Sequence, residues 1–547
     1  MPLPQMVRRP LVRGAILWLS GTAYGLWLDA DSWLVFSLCI ATAALCLTYT
    51  LLFSTTRLSS IAVTVALFIT AAASANLAQV TRRAEERWLA AYLKEPVSFE
   101  GTIDRMVGIR PPGRSRKHPR FPLRNVTISH NKIKYPLRHF KVWVTWYGEG
   151  SLPNVGETWS FQTKLPKLQT TRQTSYLALN TRLKDATLLA PPSTHDWRPV
   201  IDKTRSSATH RLSLGIEQWP VVPSLIQAML LGVRSAVPYE INAIFRASGT
   251  IHVFAISGLG IGLVATVMVA CFSLLGIPRH RWGIPLIPLL SVYTLLTGAS
   301  PSATRACMMA AIYFGAPLLG RKSDGPTTLS AAAIAQIAWN PHDLQNLSFI
   351  LSYSAMVGLV LLCRPFAYLC RKKMGVGSSD RLAALLHLAQ RLSTLSTTTW
   401  QMRWRVRAAL LSHKVRLYFA DLIAVGIAAW LASIPLTAYY FERFIPGGLL
   451  ANLVVVPAAF MITVSGALAL ITSFASDFCA AVFNHSAAFF TNLMILASRG
   501  TISIPWASMA VTSPPPYFIP LWYIAMIILA RYLLKMQTEE AAQKPQP

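Results

Sequence analysis

The sequence predicts a polytopic α-helical membrane protein of about ten to twelve spans, with one small β-barrel inserted outside the bilayer. Three observations carry that expectation. Of the 547 residues, 53% are hydrophobic and only 13% are charged, about half the charged share that covers a globule in water. Apolar runs of membrane-crossing length recur along most of the chain. One polar stretch, Thr81 to Trp219, interrupts them with period-two alternation broken by Pro and Gly.

Residues 1–80 read as an N-terminal membrane segment. Arg8, Arg9 and Arg13 precede the apolar run Ala15–Leu28, as in a cleaved signal peptide. However, Trp33–Phe53 and Ile61–Ala78 follow closely, with no small-x-small cleavage site between. The three runs are therefore read as spanning helices with the N-terminus inside. Residues 81–219 carry five short alternating runs, Val97–Asp104, Leu123–Ser129, Phe140–Trp146, Thr158–Thr163 and Leu183–Leu189. Five strands suit an OB-type barrel, although the count alone does not choose it over another small barrel.

Residues 220–535 resume the membrane pattern. Val221–Val233 is too short to span. Candidate spans follow at Ile251–Ile277, Trp282–Leu296, Thr304–Leu319, Thr327–Trp339, Leu347–Cys363, Leu417–Tyr440, Leu449–Phe474, Phe478–Ala497 and Pro516–Leu534. Thr327–Trp339 is the weakest, with a re-entrant segment as its alternative. Residues 536–547 form a polar tail. Twelve spans counted from an inside N-terminus place Arg279, Arg281, the Arg321/Lys322 turn and the basic loop 364–416 in the cytoplasm, and the β domain outside. The positive-inside rule and the parity agree, and both termini then lie in the cytoplasm of a cell whose inner membrane the protein crosses.

The formal net charge is +29, and part of it is the Lys and Arg retained in cytoplasmic loops. The outside domain is also basic, with 24 Lys and Arg against 11 Asp and Glu between Thr81 and Pro220. Its densest part holds eleven cations, Arg105, Arg110, Arg114, Arg116, Lys117, Arg120, Arg124, Lys132, Lys134, Arg138 and Lys141, and no acid occurs from Arg105 to Gly148. Along His139–Tyr147, Lys141, Trp143, Thr145 and Tyr147 share one face, while Phe140, Val142, Val144 and Trp146 share the other. Cations beside outward aromatics suit single-stranded nucleic acid, because bases stack while phosphates are neutralised. A merely solvated loop, or one drawn to anionic lipid, accounts for the same charges equally well.

A second signal lies at membrane depth. The run Phe245–Leu263 places His252, Ser257 and several glycines at the mouth of a span, and Thr297–Ala306 puts Arg305 with several hydroxyls at the start of another. A charge at such depth faces a polar cavity or a partner, and glycine and proline permit the broken helices that line cavities. An interfacial, snorkelling Arg305 among packing glycines is the plainer alternative. The seven cysteines lack the paired spacing of a zinc site, and neither a metal nor a cofactor is expected.

The segments Leu230–Ser235 and Phe245–Leu259 resemble the competence domain of the ComEC family of DNA-internalisation proteins. Leu296–Arg305, Leu347–Gly358 and Leu449–Pro457 resemble it too, giving four blocks in the family's order. The three helices and β domain ahead of them look like that family's N-terminal half. The resemblance implies a channel for single-stranded DNA uptake across the cytoplasmic membrane during natural transformation, with the OB-like domain receiving DNA outside. It also carries over His252, Ser257, Gly258, Ser300, Ser302, Arg305, Ser352 and Asn452 as positions of the translocation path. The chain departs from the family's pattern at Val233, Gly260 and Ile350, each of which removes a polar group. Many members continue into a metallo-β-lactamase-like domain, whereas no His-x-His-x-Asp-His cluster and no phosphate loop occur in this sequence. The expectation is therefore a non-enzymatic channel. Besides DNA and membrane lipid, the expected partners are a separate receptor, nuclease and cytoplasmic helicase, and a second copy of the chain. A lipid-binding scaffold is the alternative, and a membrane-embedded hydrolase ranks below it because the core has almost no acids.

Overall fold

The computed structural model describes residues 10–27, 57–105, 119–131, 133–147, 153–170, 175–182, 185–234, 237–253, 258–376 and 400–542. The expected span Trp33–Phe53, the middle of loop 364–416, and Arg110, Arg114, Arg116, Lys117, Lys132 and Ser257 lie outside the described residues.

Alternating apolar residues in the polar stretch must bury one face, and they do so in an eight-stranded sheet. Its strands are β1 (Pro96–Ile103), β2 (Arg120–His130), β3 (Ile133–Pro136), β4 (Lys141–Tyr147), β5 (Thr158–Lys164), β6 (Gln169–Thr170), β7 (Ser175–Arg182) and β8 (Ala186–Ala190). The order is β6-β7-β4-β2-β1-β5-β8, with β3 paired to β2. β4 and β7 run parallel, with Lys141 opposite Tyr176 and Tyr147 opposite Arg182. The path β7-β4-β2-β1-β5 curls until β5 and β7 touch without a ladder between them. That is the partly open five-stranded barrel of the OB type. Phe99, Ile103, Phe121, Ile128, Val142, Val144 and Phe161 fill its interior. Each such side chain contributes about 1.5–3 kcal/mol of burial.

The barrel's fifth strand is Ser175–Arg182 rather than the expected Leu183–Leu189. Leu177 and Leu179 point inward from it, two residues apart. Leu188 and Leu189 are adjacent, cannot both face one side of a pleated strand, and stay exposed on the outer strand β8.

The membrane part begins with α1 (Pro10–Trp27) and α2 (Arg57–Ala91). Gly21 and Gly25 of α1 lie against the Phe68 and Ala72 carbonyls of α2, an approach that only residues without a side chain allow. α2 does not stop at Thr81 but continues to Ala91, where Leu89 and Trp88 enter the barrel core. The polarity change at Thr81 is thus a boundary of environment and not of structure.

Beyond the barrel come α3 (Arg198–Arg211), α4 (Val221–Leu230), α5 (Tyr239–Ala247), α6 (Gly258–Leu274), α7 (Gly283–Leu296), α8 (Pro301–Gly315), α9 (Gly325–Trp339), α10 (Leu347–Lys373), α11 (Trp400–Phe441), α12 (Gly447–Thr472), α13 (Asp477–Ile502) and α14 (Phe518–Ala542). Among the described residues, six helices are long and apolar enough to cross a membrane, within α2 and α10 to α14. Four further expected spans are the shorter helices α6 to α9, of 14 to 17 residues. At about 1.5 Å per residue, each falls short of a bilayer core of about 30 Å. α10 runs on past Cys363, and its last turn carries Arg371, Lys372 and Lys373, which complement the helix's negative C-terminal end.

Candidate functional site

Strand β4 alternates in burial as its sequence requires, with Val142, Val144 and Trp146 inside and Lys141, Trp143, Thr145 and Tyr147 outside. The pairing register adds Tyr176, Asn180 and Arg182 of β7 and Arg120 of β2 to that outer face. The Arg120 guanidinium lies 4.9 Å from the Trp143 ring centre and 5.4 Å from that of Tyr176. One cation thereby organises two rings on an open sheet surface. Lys141, Tyr147, Asn180 and Arg182 are exposed beside them. Tyr176, Asn180 and Arg182 were not among the expected binding residues. Their alternation with Leu177 and Leu179 was a usable signal.

The remaining cations divide. Arg124 pairs with Asp196, and Lys134 with Glu100 at 3.2 Å. Arg138 is exposed, while its backbone N–H donates to Glu85 Oε1 at 2.6 Å. Arg105 turns toward the helices and donates Nη1 to the Gly298 carbonyl at 2.9 Å.

Within the helices, blocks far apart in sequence are linked in space. Ser248 and Thr250 share a hydrogen bond of 2.7 Å, and Thr250 reaches Ser498 of α13 at 3.3 Å. Gly249, at φ +75°, packs against Ile445 and Gly448 at the start of α12. Three residues on, His252 Nδ1 lies 3.1 Å from the Gly249 carbonyl and donates to it. Geometrically only a protonated Nδ1 makes that bond, since a carbonyl accepts. A side chain at Gly258, in the first turn of α6, would touch Ala306 of α8. Next to it, Arg305 donates Nη2 to the Ser348 carbonyl at 2.8 Å and to Ser348 Oγ at 2.9 Å, on α10. The residues just ahead of the fourth block thus meet the first, the first lies against Ala306 just past the second, and the second meets the third.

The path residues differ in exposure. His252 is solvent-accessible, whereas Arg305 is only 2% exposed and closed in by protein. Ser300 caps α8 by accepting from the Ala303 N–H at 3.3 Å. Ser302 and Ser352 are half-buried, and Asn452 on α12 has a buried Oδ1 without a hydrogen-bond partner among the described residues. Arg305 Nε and Nη1 likewise have none among the described residues. Asp343 and Tyr353 are the electrostatic neighbours of Arg305. Gln336 donates to Asp343 at 2.7 Å, and Tyr353 donates to Gln336 at 3.5 Å. Arg305 is thus the anchor of a polar network across α8, α9 and α10, a role that its sequence position alone did not reveal.

A second joint ties the barrel to the helices. Glu85 of α2 is 3% exposed, accepts the backbone N–H groups of Arg138 and His139, and lies 3.2 Å from His139 Nδ1. The His139 ring meets that of His342 edge-on at 6.4 Å, and His342 Nε2 donates to the Ala78 carbonyl at 3.2 Å. Burial holds the His342 pKa below the ordinary histidine value. Among the described residues, no three His, Cys, Asp or Glu side chains converge as metal ligands.

The sequence profile described as Competence protein matches residues 229–536, more than half of the chain. The chain belongs to the Competence protein family. All of the linked blocks from Leu230 to Pro457 fall inside the family region, and the OB-type barrel precedes it. The chain is 31% identical over 142 residues to ComE operon protein 3 of Bacillus subtilis (strain 168), covering 26% of this chain and 18% of that protein. It is also 31% identical over 144 residues to the uncharacterized protein YcaI of Escherichia coli (strain K12), covering 25% of this chain and 19% of that one. The aligned stretches therefore span less than a fifth of either relative. No solved structure matches the chain.

Proposed function

We propose that this competence-family protein is a membrane channel component that takes up single-stranded DNA across the cytoplasmic membrane during natural transformation, without catalysing a reaction. The observation that carries this reading is that the four family blocks, or residues directly flanking them, pack together through α6, α8, α10 and α12 into one seam that holds the Arg305–Ser348 bonds. Buried hydroxyls, an amide and a guanidinium are costly among apolar helices, and a hydrophilic polymer passing along them gives that cost a use.

The barrel supplies the first contact. Bases stack on Trp143, Tyr147 and Tyr176, while Arg120, Lys141 and Arg182 neutralise the adjoining phosphates. The strand then moves along the seam past His252, Ser257, Gly258, Ser300, Ser302, Ser352 and Asn452. Arg305 positions α8 against α10 and does not itself contact the strand while it remains enclosed. The barrel lies outside the inner membrane, both termini lie in the cytoplasm, and a separate receptor, nuclease and helicase complete the system. Deleting the gene in a transformable host and scoring uptake of labelled linear DNA tests the reading. Uptake is lost on this view, and undiminished uptake sinks it.

A further inference from the structure

Two guanidinium groups from different parts of the chain converge on one glycine. Gly298 sits at φ +85° in the turn between α7 and α8. A Cβ there would lie 3.2 Å from Arg105 Nη1 and 3.7 and 3.9 Å from the two terminal nitrogens of Arg205. Arg105, just past β1, donates to the Gly298 carbonyl at 2.9 Å. Arg205, on α3, donates Nη2 to the Leu231 carbonyl at 3.0 Å, just past α4. Both cations are thus anchored at the C-terminal ends of apolar helices, where the backbone offers partial negative charge.

Those anchors leave the site incomplete. The Nε atoms of Arg105 and Arg205 are buried and have no hydrogen-bond partner among the described residues. The acid that Arg205 feels is Asp202, one helical turn earlier. Burial, and then the neighbouring Arg105, push the Arg205 pKa down, with Asp202 opposing. Two like charges enclosed with one carboxylate cost free energy until an anion joins them.

We propose that this junction between barrel and helices is a phosphate-binding site, in which Arg105 and Arg205 together hold one phosphate group of a passing strand. The identity of the strand rests on the function proposed above. A phosphodiester carries one negative charge and two free oxygens, which suits two planar guanidinium forks. Gly298, without a side chain and at a φ that L side chains rarely adopt, lets both forks come close to the turn. Asp202 leaves the junction only singly positive, so that a phosphate can enter and also leave.

The test uses the full chain in phosphatidylcholine nanodiscs, whose lipid has no net charge. The affinity of labelled oligothymidylate is measured as salt is varied. Arg205→Gln removes one phosphate contact, and the slope of log affinity against log salt becomes shallower by about one. Asp202→Asn keeps its shape and removes the opposing charge, so it tightens binding several-fold. It serves if Arg205→Gln does not fold. An unchanged slope in a folded Arg205→Gln, or unchanged affinity in Asp202→Asn, overturns the proposal. If the wild type binds no oligonucleotide, the DNA reading fails separately, and inorganic phosphate decides the junction. A melting temperature raised by phosphate in the wild type but not in Arg205→Gln keeps the site, with free phosphate as its ligand. No rise removes it.

Discussion

Arg305 shows how one side chain's surroundings decide its role. Its guanidinium is enclosed and holds Ser348 by two hydrogen bonds, so truncation deprives the Ser348 carbonyl and hydroxyl of their charged donor. Hydrogen bonds to charged groups contribute about 1.5–3 kcal/mol. Arg305→Ala is expected to lower the melting temperature and to impair DNA uptake while oligonucleotide binding at the barrel stays unchanged. Loss of surface binding in that variant would contradict its assignment to the helical seam. Trp143 presents the opposite case, an outward ring held by Arg120. Trp143→Ala is expected to weaken oligonucleotide binding by about 1–3 kcal/mol without altering its salt slope, as titration would show. His342 supplies a pH dependence. Burial lowers its pKa in the folded state, so the unfolded chain takes up the proton first as pH falls through the ordinary histidine range. Folded stability therefore declines with acidification there, and His342→Gln is expected to melt with a weaker pH dependence than the wild type between pH about 7.5 and 5.5.

At the scale of elements, the glycines of α1 have a definite task. A methyl group on Gly25 would overlap the Ala72 carbonyl, whereas one on Gly14 meets nothing. Gly25→Ala is expected to destabilise the α1–α2 pair by about 1–3 kcal/mol, with Gly14→Ala as the neutral control, both read by thermal melting in detergent. The strands β1 and β4 were legible because inward and outward residues alternate strictly along them. β7 was missed since its polar surroundings outweighed two inward leucines, and Leu188–Leu189 drew attention by apolarity without alternation. Helix ends were equally hard to read. α2 and α10 continue beyond their apolar runs because hydrogen bonding along a helix is indifferent to where the bilayer stops.

At the scale of the molecule, the barrel is joined to the helices by Arg105 on Gly298 and by the Glu85, His139 and His342 joint. The expected orientation puts Lys141 outside and Lys373 inside. In a background free of other cysteines, Lys141→Cys in intact cells stripped of the outer membrane is expected to react with a membrane-impermeant maleimide. Lys373→Cys is expected to react only after the membrane is opened, and the reverse pattern would invert the topology.

Composition, apolar run length and the family's blocks were sufficient to establish a membrane protein of helices with an OB-type domain, since solvent preference and local periodicity are properties of neighbouring residues. Which side chains meet was a different matter. That Arg305 holds Ser348, that Arg205 joins Arg105 at Gly298, and that Tyr176 stands beside Trp143 depends on residues brought together across helices and strands. Only the packed structure decides such contacts, because the free energy of a buried charge or an exposed ring is set by whatever surrounds it and not by its place in the chain.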